Sequence, residues 1–453
     1  MIISIENFGK ISSARFDLGD YNIFVGENNS GKTYAMQLIY GVIDFLTSKL
    51  RISANIDDRV VNFFNNLPAE INQSNYTTFE SYLNYILDQE KNNIVNYIFK
   101  KHIPIGRITI SLNNFSSKYF IKNVEPSELY KDFSKMSEKD FDIISKFTHF
   151  QVSADEKTIA TFGMIINPEK CDTKYISEII RVIMRNYLHM SSSSRRFDNI
   201  LYLPASRSGL MLLYKHYLEE RNNNFIDFQK EDSNFENEYG LTQPVYNFIS
   251  FLQKYEFSEN NAIKNKSIIE FINNHLIDGS LKHSGNSMLY SPRNSDLIIP
   301  PYLSSSMINE ISPVTQLLTA INRFDYIFYD EIETCQHPLT QIQMARLLVR
   351  MVNAGYKMIV STHSDTMVAA INNLIMLSFA ANRDGKADKI GYNSDDFLRT
   401  SNIHAYQFIN TENGTIVEEL DNYSDIGIGF NFSLFSESNR KIYNDAKTIL
   451  EDN

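Results

Sequence analysis

The chain has no tryptophan and only two cysteines among its 453 residues. Cys171 and Cys335 lie far apart in the sequence, which excludes a disulfide framework and a cysteine-rich zinc or iron–sulfur site. No apolar run approaches the roughly 18 residues that a membrane span requires. The opening MIISIENFGK lacks the basic and apolar regions of a signal peptide. These absences predict a cytoplasmic protein without a membrane partner.

The chain is also poor in positive charge, with 43 basic against 54 acidic residues and a formal net charge of −11. This balance argues against a protein that coats nucleic acid by bulk charge, and it leaves room for a local basic groove. Hydrophobic residues make up 43% and charged residues 21% of the chain, which is typical of a folded protein and excludes intrinsic disorder. Length alone suggests about three domains of roughly 150 residues each.

A phosphate-binding loop is predicted where the segment GENNSGKT follows the short apolar run at 22–25. The segment fits the pattern G-x-x-x-x-G-K-[ST], and the apolar spacing at 35–46 predicts the helix that must follow. Main-chain N–H groups of such a loop wrap the phosphates, the lysine reaches the outer phosphates and the hydroxyl ligates Mg²⁺. A structural Gly-rich turn is the alternative. The predicted ATP-binding residues are Gly26, Glu27, Asn28, Asn29, Ser30, Gly31, Lys32 and Thr33, of which Thr33 is also a predicted metal ligand.

A second polar element follows the bulky run at 326–329, which is typical of a parallel strand buried on both faces. The run ends in Asp330 and Glu331. After a phosphate-binding loop, this pair predicts a magnesium-ligating aspartate and a catalytic glutamate that polarises the attacking water. Glu333 adds a third carboxylate, for which helix capping and support of the site both stay open.

A third polar element, KMIVSTHS, ends another apolar run at 358–360. His363 would stand at the carboxyl edge of the sheet, where doubly wound sheets bind their ligands. A lone histidine is usually structural. The position of His363 one strand after Asp330 favours a catalytic contact with the γ-phosphate.

The spacing of these elements narrows the class of nucleotide-binding protein. Asp330 follows Lys32 by 298 residues, which excludes small nucleoside kinases and Ras-like GTPases and favours a split head with a large insertion. The segments IENFGKISSARFDL, GENNSGKT, YDEIETCQHP and STHS resemble the ABC-type ATPase heads of the SMC and RecF group. They resemble more closely the OLD-type AAA ATPases of bacterial anti-phage defence systems, such as PARIS or Septu. The matched segments cover about a third of the chain.

The resemblance also singles out a signature segment at 302–318, which is similar to the family's SSGxxELSPL. Ser305 and Ser306 match the two serines, Glu310 matches the glutamate, and Met307 stands where the family usually has glycine. In the family, this segment of one subunit contacts the γ-phosphate held by the partner, so both serines are predicted nucleotide ligands. Met307 has little effect if only its main-chain N–H is used, whereas its bulk would tighten that interface and slow hydrolysis. A serine-rich helix N-cap is the alternative.

Several other polar residues keep open roles. Arg207, in YLPASRSG, is a candidate for contact with a phosphate or a partner. The pair Arg195 and Arg196 and the cluster at 100–102 are short basic groups, for which a solvated face is favoured over DNA contact. Gln151 is a candidate for the family's glutamine-bearing loop.

The fold implied by the resemblance is α/β: an ABC/SMC-type P-loop ATPase head with a mixed β-sheet flanked by helices, plus an α-helical insertion. Residues 215–285 are rich in Asn, Glu, Asp and Lys and predict a solvated insertion rather than core. Apolar stripes predict helices at 76–100, 176–188 and 437–451, and alternation predicts an antiparallel patch within 105–165 and strands within 405–418.

The predicted parts are 1–75 as the N-terminal head with the P-loop, 76–195 as a helical and small β insertion, 196–214 as a head strand and loop, 215–295 as a helical insertion and 296–453 as the C-terminal head.

For function, the resemblance implies ATP and Mg²⁺ as cofactors and a head-to-head dimer or higher homo-oligomer. It also implies a separate effector nuclease or toxin and a phage protein as trigger. The 90 residues after His363 are too few for the last head strands and the Toprim nuclease domain of OLD nucleases, so an ATPase subunit without its own nuclease is expected. Two alternatives stay open, namely a DNA-repair or chromosome-maintenance clamp and a scaffold that binds ATP without hydrolysing it.

Overall fold

The computed structural model divides the chain into two compact units. Unit 1 comprises Met1–Ser4, Gly41–Ile94 and Arg107–Phe197, and unit 2 comprises Ile5–Tyr40, Val95–Gly106 and Asp198–Asn453. The structure describes residues 1–51, 57, 59–60, 63, 71, 76–113, 118–125, 128, 148–155, 157–164, 173–190, 199–205, 207–213, 240–284, 287–300, 303–422, 429–432, 440–441, 443–445 and 447. The predicted basic pair Arg195 and Arg196, residues 215–239 of the predicted insertion and most of the predicted helix at 437–451 lie outside these residues.

The described chain contains groups of consecutive strands separated by helices. The strands are β1 (Ile2–Phe8), β2 (Ile11–Asp17), β3 (Tyr21–Gly26), β4 (Ile105–Ser111), β5 (Tyr119–Val124), β6 (Thr148–Ala154), β7 (Lys157–Met164), β8 (Ile200–Leu203), β9 (Gly279–Ser284), β10 (Ser287–Pro292), β11 (Tyr326–Tyr329), β12 (Lys357–Thr362), β13 (Ile403–Thr411) and β14 (Gly414–Glu419). The helices are α1 (Lys32–Asp44), α2 (Tyr76–Phe99), α3 (Thr173–Tyr187), α4 (Gln243–Gln253), α5 (Glu259–Lys264), α6 (Lys266–His275), α7 (Ser306–Thr319), α8 (Pro338–Asn353), α9 (Asp365–Phe379) and α10 (Arg383–Lys389). The predicted helices at 35–46, 76–100 and 176–188 and the predicted strands within 405–418 are confirmed.

Nine strands form the main sheet, in the order β4-β1-β2-β14-β13-β3-β12-β11-β8. The strands from β13 to β8 in this order run parallel to their neighbours, whereas β14 is antiparallel to β13. Almost every residue of β3, β11 and β12 is buried, as expected of central parallel strands covered on both faces. The parallel direction brings the carboxyl ends of these strands to one edge, where Gly26, Asp330 and His363 lie.

Helices of unit 2 pack into one apolar core with this sheet, and part of the predicted solvated insertion belongs to that core. Phe248 and Leu252 of α4 and Phe271 and Ile272 of α6 are all buried in it. The prediction of a solvated segment is therefore wrong for residues 240–284. The composition of this segment suggested a solvated segment because each helix has only a narrow apolar stripe. The Asn, Glu and Lys residues on the other face of each helix dominate the average composition.

Unit 1 contains a three-stranded antiparallel sheet, β5-β6-β7, which confirms the antiparallel patch predicted within 105–165. The alternation that suggested the patch begins in β4, and this strand lies instead beside β1 at the edge of the main sheet. Among the described residues, no helix has both the length and the apolar character needed to cross a bilayer.

Two arginines of α3 close the helical segment that follows α1 within unit 1. This segment is a π-helical turn at Phe45–Lys49, whose last carbonyls have no partner inside the helix. Arg181 Nη1 donates to the Ser48 carbonyl at 3.2 Å, and Arg185 Nε donates to the Thr47 carbonyl at 2.7 Å. The guanidinium groups thus satisfy a helix end that would otherwise need water.

Candidate nucleotide-binding site

The loop at 26–33 joins β3 to α1 along a backbone course that requires glycine. Gly26 and Gly31 have positive φ angles of +151° and +92°. A Cβ on Gly26 would lie 2.6 Å from the Phe408 carbonyl oxygen of the neighbouring β13, so only glycine fits this position. The Ala35 N–H donates to the Gly31 carbonyl at 2.9 Å as the helix begins. The unpaired N–H groups of the first helical turn therefore lie at the end of the loop, where anions bind.

Lys32 lies inside this loop, with only 4% of its surface exposed. Its Nζ donates to the carbonyls of Gly26 and Glu27, both at 2.9 Å, and to Ser30 Oγ at 3.3 Å. Burial lowers the pKa of Lys32 to about 8, although the neighbouring carboxylates, Asp330 first, oppose this shift. These oxygens are all uncharged, so the ammonium can exchange them for the charged oxygens of a phosphate, which accept stronger hydrogen bonds.

Asp330 is the centre of the site and is 1% exposed. Its Oδ2 accepts hydrogen bonds from Thr33 Oγ1 at 2.9 Å and from the Tyr202 hydroxyl at 2.7 Å. Its Oδ1 accepts from Ser361 Oγ at 2.5 Å. Gln37 Nε2 donates in turn to the Tyr202 hydroxyl at 3.3 Å. The carboxylate is thus fixed from β8, β12 and α1, and its Oδ2 points to the hydroxyl of the P-loop threonine.

Sequence reasoning missed Tyr202 and Ser361. The available signal was a hydroxyl at the end of an otherwise apolar buried strand, because a buried hydroxyl needs a hydrogen-bond partner. The partner could not be named from the sequence, since the order of β8, β11 and β12 in the sheet was not known.

The residues at this centre fit a bound Mg²⁺. A threonine hydroxyl and a carboxylate are the hard oxygen donors that this ion prefers, and Mg²⁺ usually takes only one or two protein ligands beside phosphates and water. In the part of the chain that the structure describes, no group of three or more His, Cys, Asp and Glu side chains forms a denser metal site. Thr33 and Asp330 would therefore hold the ion, as predicted, together with oxygens of the nucleotide.

Glu331 follows Asp330 in a left-handed backbone conformation, with a φ of +47°. Three neighbours hold this strained turn: the Glu331 N–H donates to Ser361 Oγ at 2.9 Å, and the carbonyl accepts from Arg207 Nη2 at 3.1 Å and Thr334 Oγ1 at 2.9 Å. The side chain is 40% exposed. Partial burial raises the pKa of Glu331, and the neighbouring carboxylates of Asp330 and Glu333 raise it further. A half-exposed carboxylate of raised basicity is suited to accept a proton from water.

His363 stands between Lys32 and Glu331. Its Nδ1 lies 3.3 Å from Lys32 Nζ, and its Nε2 lies 3.9 Å from Glu331 Oε1. Burial, and then the charge of Lys32, lower the pKa of His363, so the ring is neutral at physiological pH. An ammonium can only donate, so a hydrogen bond from Lys32 Nζ to Nδ1 requires the tautomer with the ring proton on Nε2. His363 can therefore donate from Nε2 to an anionic oxygen.

Glu333 holds the main chain at His363. Its Oε1 accepts a hydrogen bond from the His363 N–H at 2.6 Å. Of the two open alternatives for this carboxylate, the contact matches support of the site. Glu333 fixes the main chain from which the imidazole extends.

The two signature serines lie at the start of α7 and are exposed. Ser305 occupies the N-cap position, yet its side chain makes no capping hydrogen bond, which an ordinary N-cap serine would make. Within the described residues, neither serine side chain hydrogen-bonds to the P-loop of this chain. Met307 is partly buried and packs against the apolar core, so its bulk turns inward. Glu310 is completely buried.

The remaining candidates have different surroundings. Arg207 is completely buried and donates to main-chain carbonyls, including that of Asp330 at 2.6 Å, so the expectation of a phosphate or partner contact is wrong. Gln151 lies in β6 of unit 1, where its amide donates to Thr158 Oγ1. Residues 100–102 are exposed at the end of α2.

A glycine-rich loop, a buried aspartate, a half-exposed glutamate and a neutral histidine at the carboxyl edge of a mixed sheet define a P-loop nucleotide-binding protein. The chain belongs to the AAA ATPase domain family, whose model matches residues 1–368. The predicted fold class, an α/β P-loop ATPase head with a mixed sheet flanked by helices, is confirmed.

Among curated proteins, none matches the chain. Solved structures that are similar to it are SMC heads. They are the SmcHead bound to the C-winged helix domain of ScpA (10% identity, TM-score 0.38, 94% of this chain and 99% of that chain covered), the SMC head domain from Thermotoga maritima (10%, 0.35, 93% and 98%), and the Smc head domain with an extended coiled coil bound to the C-terminal domain of ScpA, derived from Pyrococcus furiosus (11%, 0.35, 98% and 98%). At TM-scores this low, the similarity has no bearing on function.

The Tyr202 hydroxyl is expected to orient the metal-binding carboxylate. Replacing it (Tyr202→Phe) should raise the Mg²⁺ concentration needed for half-maximal nucleotide turnover by about tenfold. Groups that orient a metal ligand typically contribute about 10- to 100-fold to metal affinity or activity. The measurement is turnover against Mg²⁺ concentration at saturating ATP. Tyr326→Phe is the matched control. Tyr326 is similarly buried, but it is the first residue of β11, at the end away from Asp330, and its hydroxyl accepts a hydrogen bond from Lys357. Equal shifts in both variants would contradict the assignment.

The low pKa of Lys32 predicts a pH dependence of nucleotide binding. Bound phosphates favour the charged ammonium and raise its pKa, so binding takes up a proton when the pH exceeds the free pKa of about 8. ATP affinity without Mg²⁺ should therefore fall by up to about tenfold per pH unit above this value. Titration calorimetry over about pH 7 to 10 measures it. In Lys32→Arg the guanidinium stays charged, and the affinity should be constant over this range. A flat profile for the unmodified chain would refute the prediction.

Proposed function

We propose that this chain is a Mg²⁺-dependent ATPase that acts as a nucleotide-controlled switch. The observation that carries the proposal is the 2.9 Å contact between Thr33 and Asp330 beside the buried Lys32, with Glu331 adjoining. These are the parts that phosphoryl transfer requires: a cationic cradle, a metal site and a group that orients the attacking water.

Each residue has a distinct task in this proposal. The loop at 26–33 and Lys32 hold the outer phosphates, and a Mg²⁺ ion held by Thr33 and Asp330 would neutralise part of their negative charge. Glu331 accepts the proton of the attacking water, and its raised pKa brings its basicity closer to that task. The Nε2–H of His363 donates to the γ-phosphate oxygen on which charge develops.

The proposed working unit is a head-to-head pair of chains. Ser305 and Ser306 are exposed at the start of α7, and together with the N–H groups of its first turn they would form an end suited to binding an anion. Each pair of serines would contact the nucleotide on the P-loop of the other copy. Because Met307 packs inward, it does not oppose this contact, which favours a hydrolysing enzyme over a non-hydrolysing scaffold.

The proposed biological setting is a bacterial anti-phage defence system, in which the chain senses a phage protein and controls a separate effector nuclease or toxin. Its support is the resemblance of the P-loop, the YDEIETCQHP segment and the signature segment to OLD-type ATPases. The test is to express the chain with the product of the neighbouring gene in bacteria and count plaques. Protection should require both genes and disappear in Lys32→Ala. Unchanged protection by Lys32→Ala would refute a nucleotide-controlled role.

The ATPase proposal is tested directly with the purified chain. Phosphate release from ATP should depend on Mg²⁺ and should fall at least about 100-fold in Lys32→Ala, since removal of one donor to a developing anion typically costs that much. Lys266→Ala is the control, because Lys266 is exposed and pairs only with Glu270. Binding of ATP without any phosphate release would contradict the proposal and favour the scaffold.

A further inference from the structure

Among the described residues of unit 2, one ion pair has both side chains completely enclosed. Arg207 Nε lies 2.6 Å from Glu310 Oε2, and both residues are 0% exposed. The other carboxylate oxygen of Glu310 accepts a hydrogen bond from the Ser208 N–H at 3.0 Å. Glu310 belongs to α7, the helix that begins with the signature serines, and lies one helical turn after Ser306.

The other end of this guanidinium holds the turn that carries the catalytic carboxylate. Arg207 Nη1 donates to the carbonyls of Asp330 at 2.6 Å and Pro204 at 2.7 Å, and Nη2 donates to the Glu331 carbonyl at 3.1 Å. Its plane also lies over the Tyr329 ring, with 4.5 Å from Cζ to the ring centroid. One rigid planar group therefore joins the signature helix to the main chain of both Asp330 and Glu331.

We propose that Arg207 and Glu310 are positioning residues, through which the signature helix sets the orientation of Glu331 in the same chain. This inference rests on the proposed ATPase function. Three arguments support it beyond simple stability. A buried ion pair is seldom more stabilising than apolar residues of the same volume, so its role is better sought in placement. The left-handed backbone at Glu331 needs external hydrogen bonds to persist, and Arg207 supplies one of them. Finally, a guanidinium is the one side-chain group that can pair with a carboxylate and donate to three carbonyl groups at fixed angles.

The arrangement has a consequence for a pair of chains. Ser305 and Ser306 would engage the nucleotide on the second copy, and Glu310 lies on the same helix one turn away. A shift of the start of α7 on this engagement would move Glu310, then Arg207, and then the turn at Glu331. Hydrolysis in one site would thus depend on whether the signature of the same chain is engaged at the other site.

The experiment compares Glu310→Gln and Arg207→Lys with the unmodified chain. We expect each variant to lower kcat by about 10-fold or more while its KM for ATP and its ATP-dependent dimerisation, measured in a Glu331→Gln background, stay within about twofold. Arg207→Lys keeps the charge of the pair and so protects folding, but it lacks the planar fork that reaches both carbonyls. Arg346→Lys is the control, because Arg346 forms a similarly buried pair with Asp396 that makes no contact with Glu331. It should lower stability without lowering the kcat of the folded protein.

The outcomes separate this inference from the proposed function. Absence of ATP turnover in the unmodified chain would refute the proposed function. If the unmodified chain hydrolyses ATP and folded Arg207→Lys keeps its kcat, the positioning role is refuted and the ATPase proposal stands. If Arg346→Lys lost as much kcat as Arg207→Lys, the loss would be due to general destabilisation of the fold. This result would also overturn the inference.

Discussion

Replacing Glu331 by glutamine (Glu331→Gln) is expected to slow ATP turnover by roughly 100- to 10,000-fold, the usual contribution of a positioned general base. Glutamine has the same shape and keeps the main-chain contacts to Ser361 and Arg207, but its amide cannot accept a proton from water. The groups that hold the nucleotide, Lys32 and Thr33, are unchanged. ATP affinity should therefore persist, and an ATP-bound dimer should accumulate because its hydrolysis is blocked. Phosphate release and light scattering with ATP measure the two effects.

Glu333→Gln is the matched control for this experiment. Glu333 accepts the His363 N–H through one oxygen, and a glutamine at this position keeps an acceptor oxygen for it. The loss of turnover should therefore stay within about tenfold, as expected for a group that only orients another. A normal rate in Glu331→Gln would end its assignment as the base. An equal loss in the two variants would show that turnover depends on the combined negative charge of Asp330, Glu331 and Glu333 rather than on the position of Glu331.

The largest effect on stability is expected at Asp396. Removal of this carboxylate (Asp396→Ala) should lower the free energy of unfolding by about 3–5 kcal/mol, because two buried guanidinium groups lose their shared counter-ion. Asp396 is 0% exposed and pairs with Arg346 at 2.8 Å and Arg350 at 2.9 Å, and each arginine side chain is only 7% exposed. Burial opposes ionisation of Asp396, but the hydrogen bond from Arg346 and the Asn393 N–H outweigh it and lower its pKa.

Asp395→Ala provides the control for this pair. Asp395 contacts the same Arg350 at 3.1 Å, but its side chain is 48% exposed. Its loss should change the free energy of unfolding by about 1 kcal/mol or less, as for most exposed ion pairs. Urea unfolding followed by circular dichroism measures both variants. An equally small change in the free energy of unfolding for Asp396→Ala and Asp395→Ala would contradict the prediction. It would mean that Arg346 and Arg350 do not depend on Asp396 as their counter-ion.

The parts of the site that sequence reasoning can predict are those encoded by short, contiguous patterns. The loop at 26–33 is one uninterrupted motif, and Asp330 and His363 each follow a recognisable apolar run. The common edge of parallel strands then predicts that they meet, without knowledge of the strand order.

The parts that could not be predicted depend on contacts between residues far apart in the chain. Arg207 could be read as a phosphate ligand because nothing nearby in the sequence shows that Glu310 and the Asp330 carbonyl enclose it. Tyr202 is similar, since its role depends on β8 lying beside β11. For α4 and α6, a polar composition concealed an apolar face that becomes visible only when the helices are packed.

The position of β3 in the main sheet has a consequence for synthesis of the protein. The strand that leads into the P-loop pairs with β12 on one side and β13 on the other, and β13 begins at Ile403, far later in the chain. β12 leaves the ribosome first and can cover one edge of β3, but the other edge stays open to incorrect pairing until β13 has been synthesised. The part of the sheet that carries the P-loop is therefore complete only late in translation.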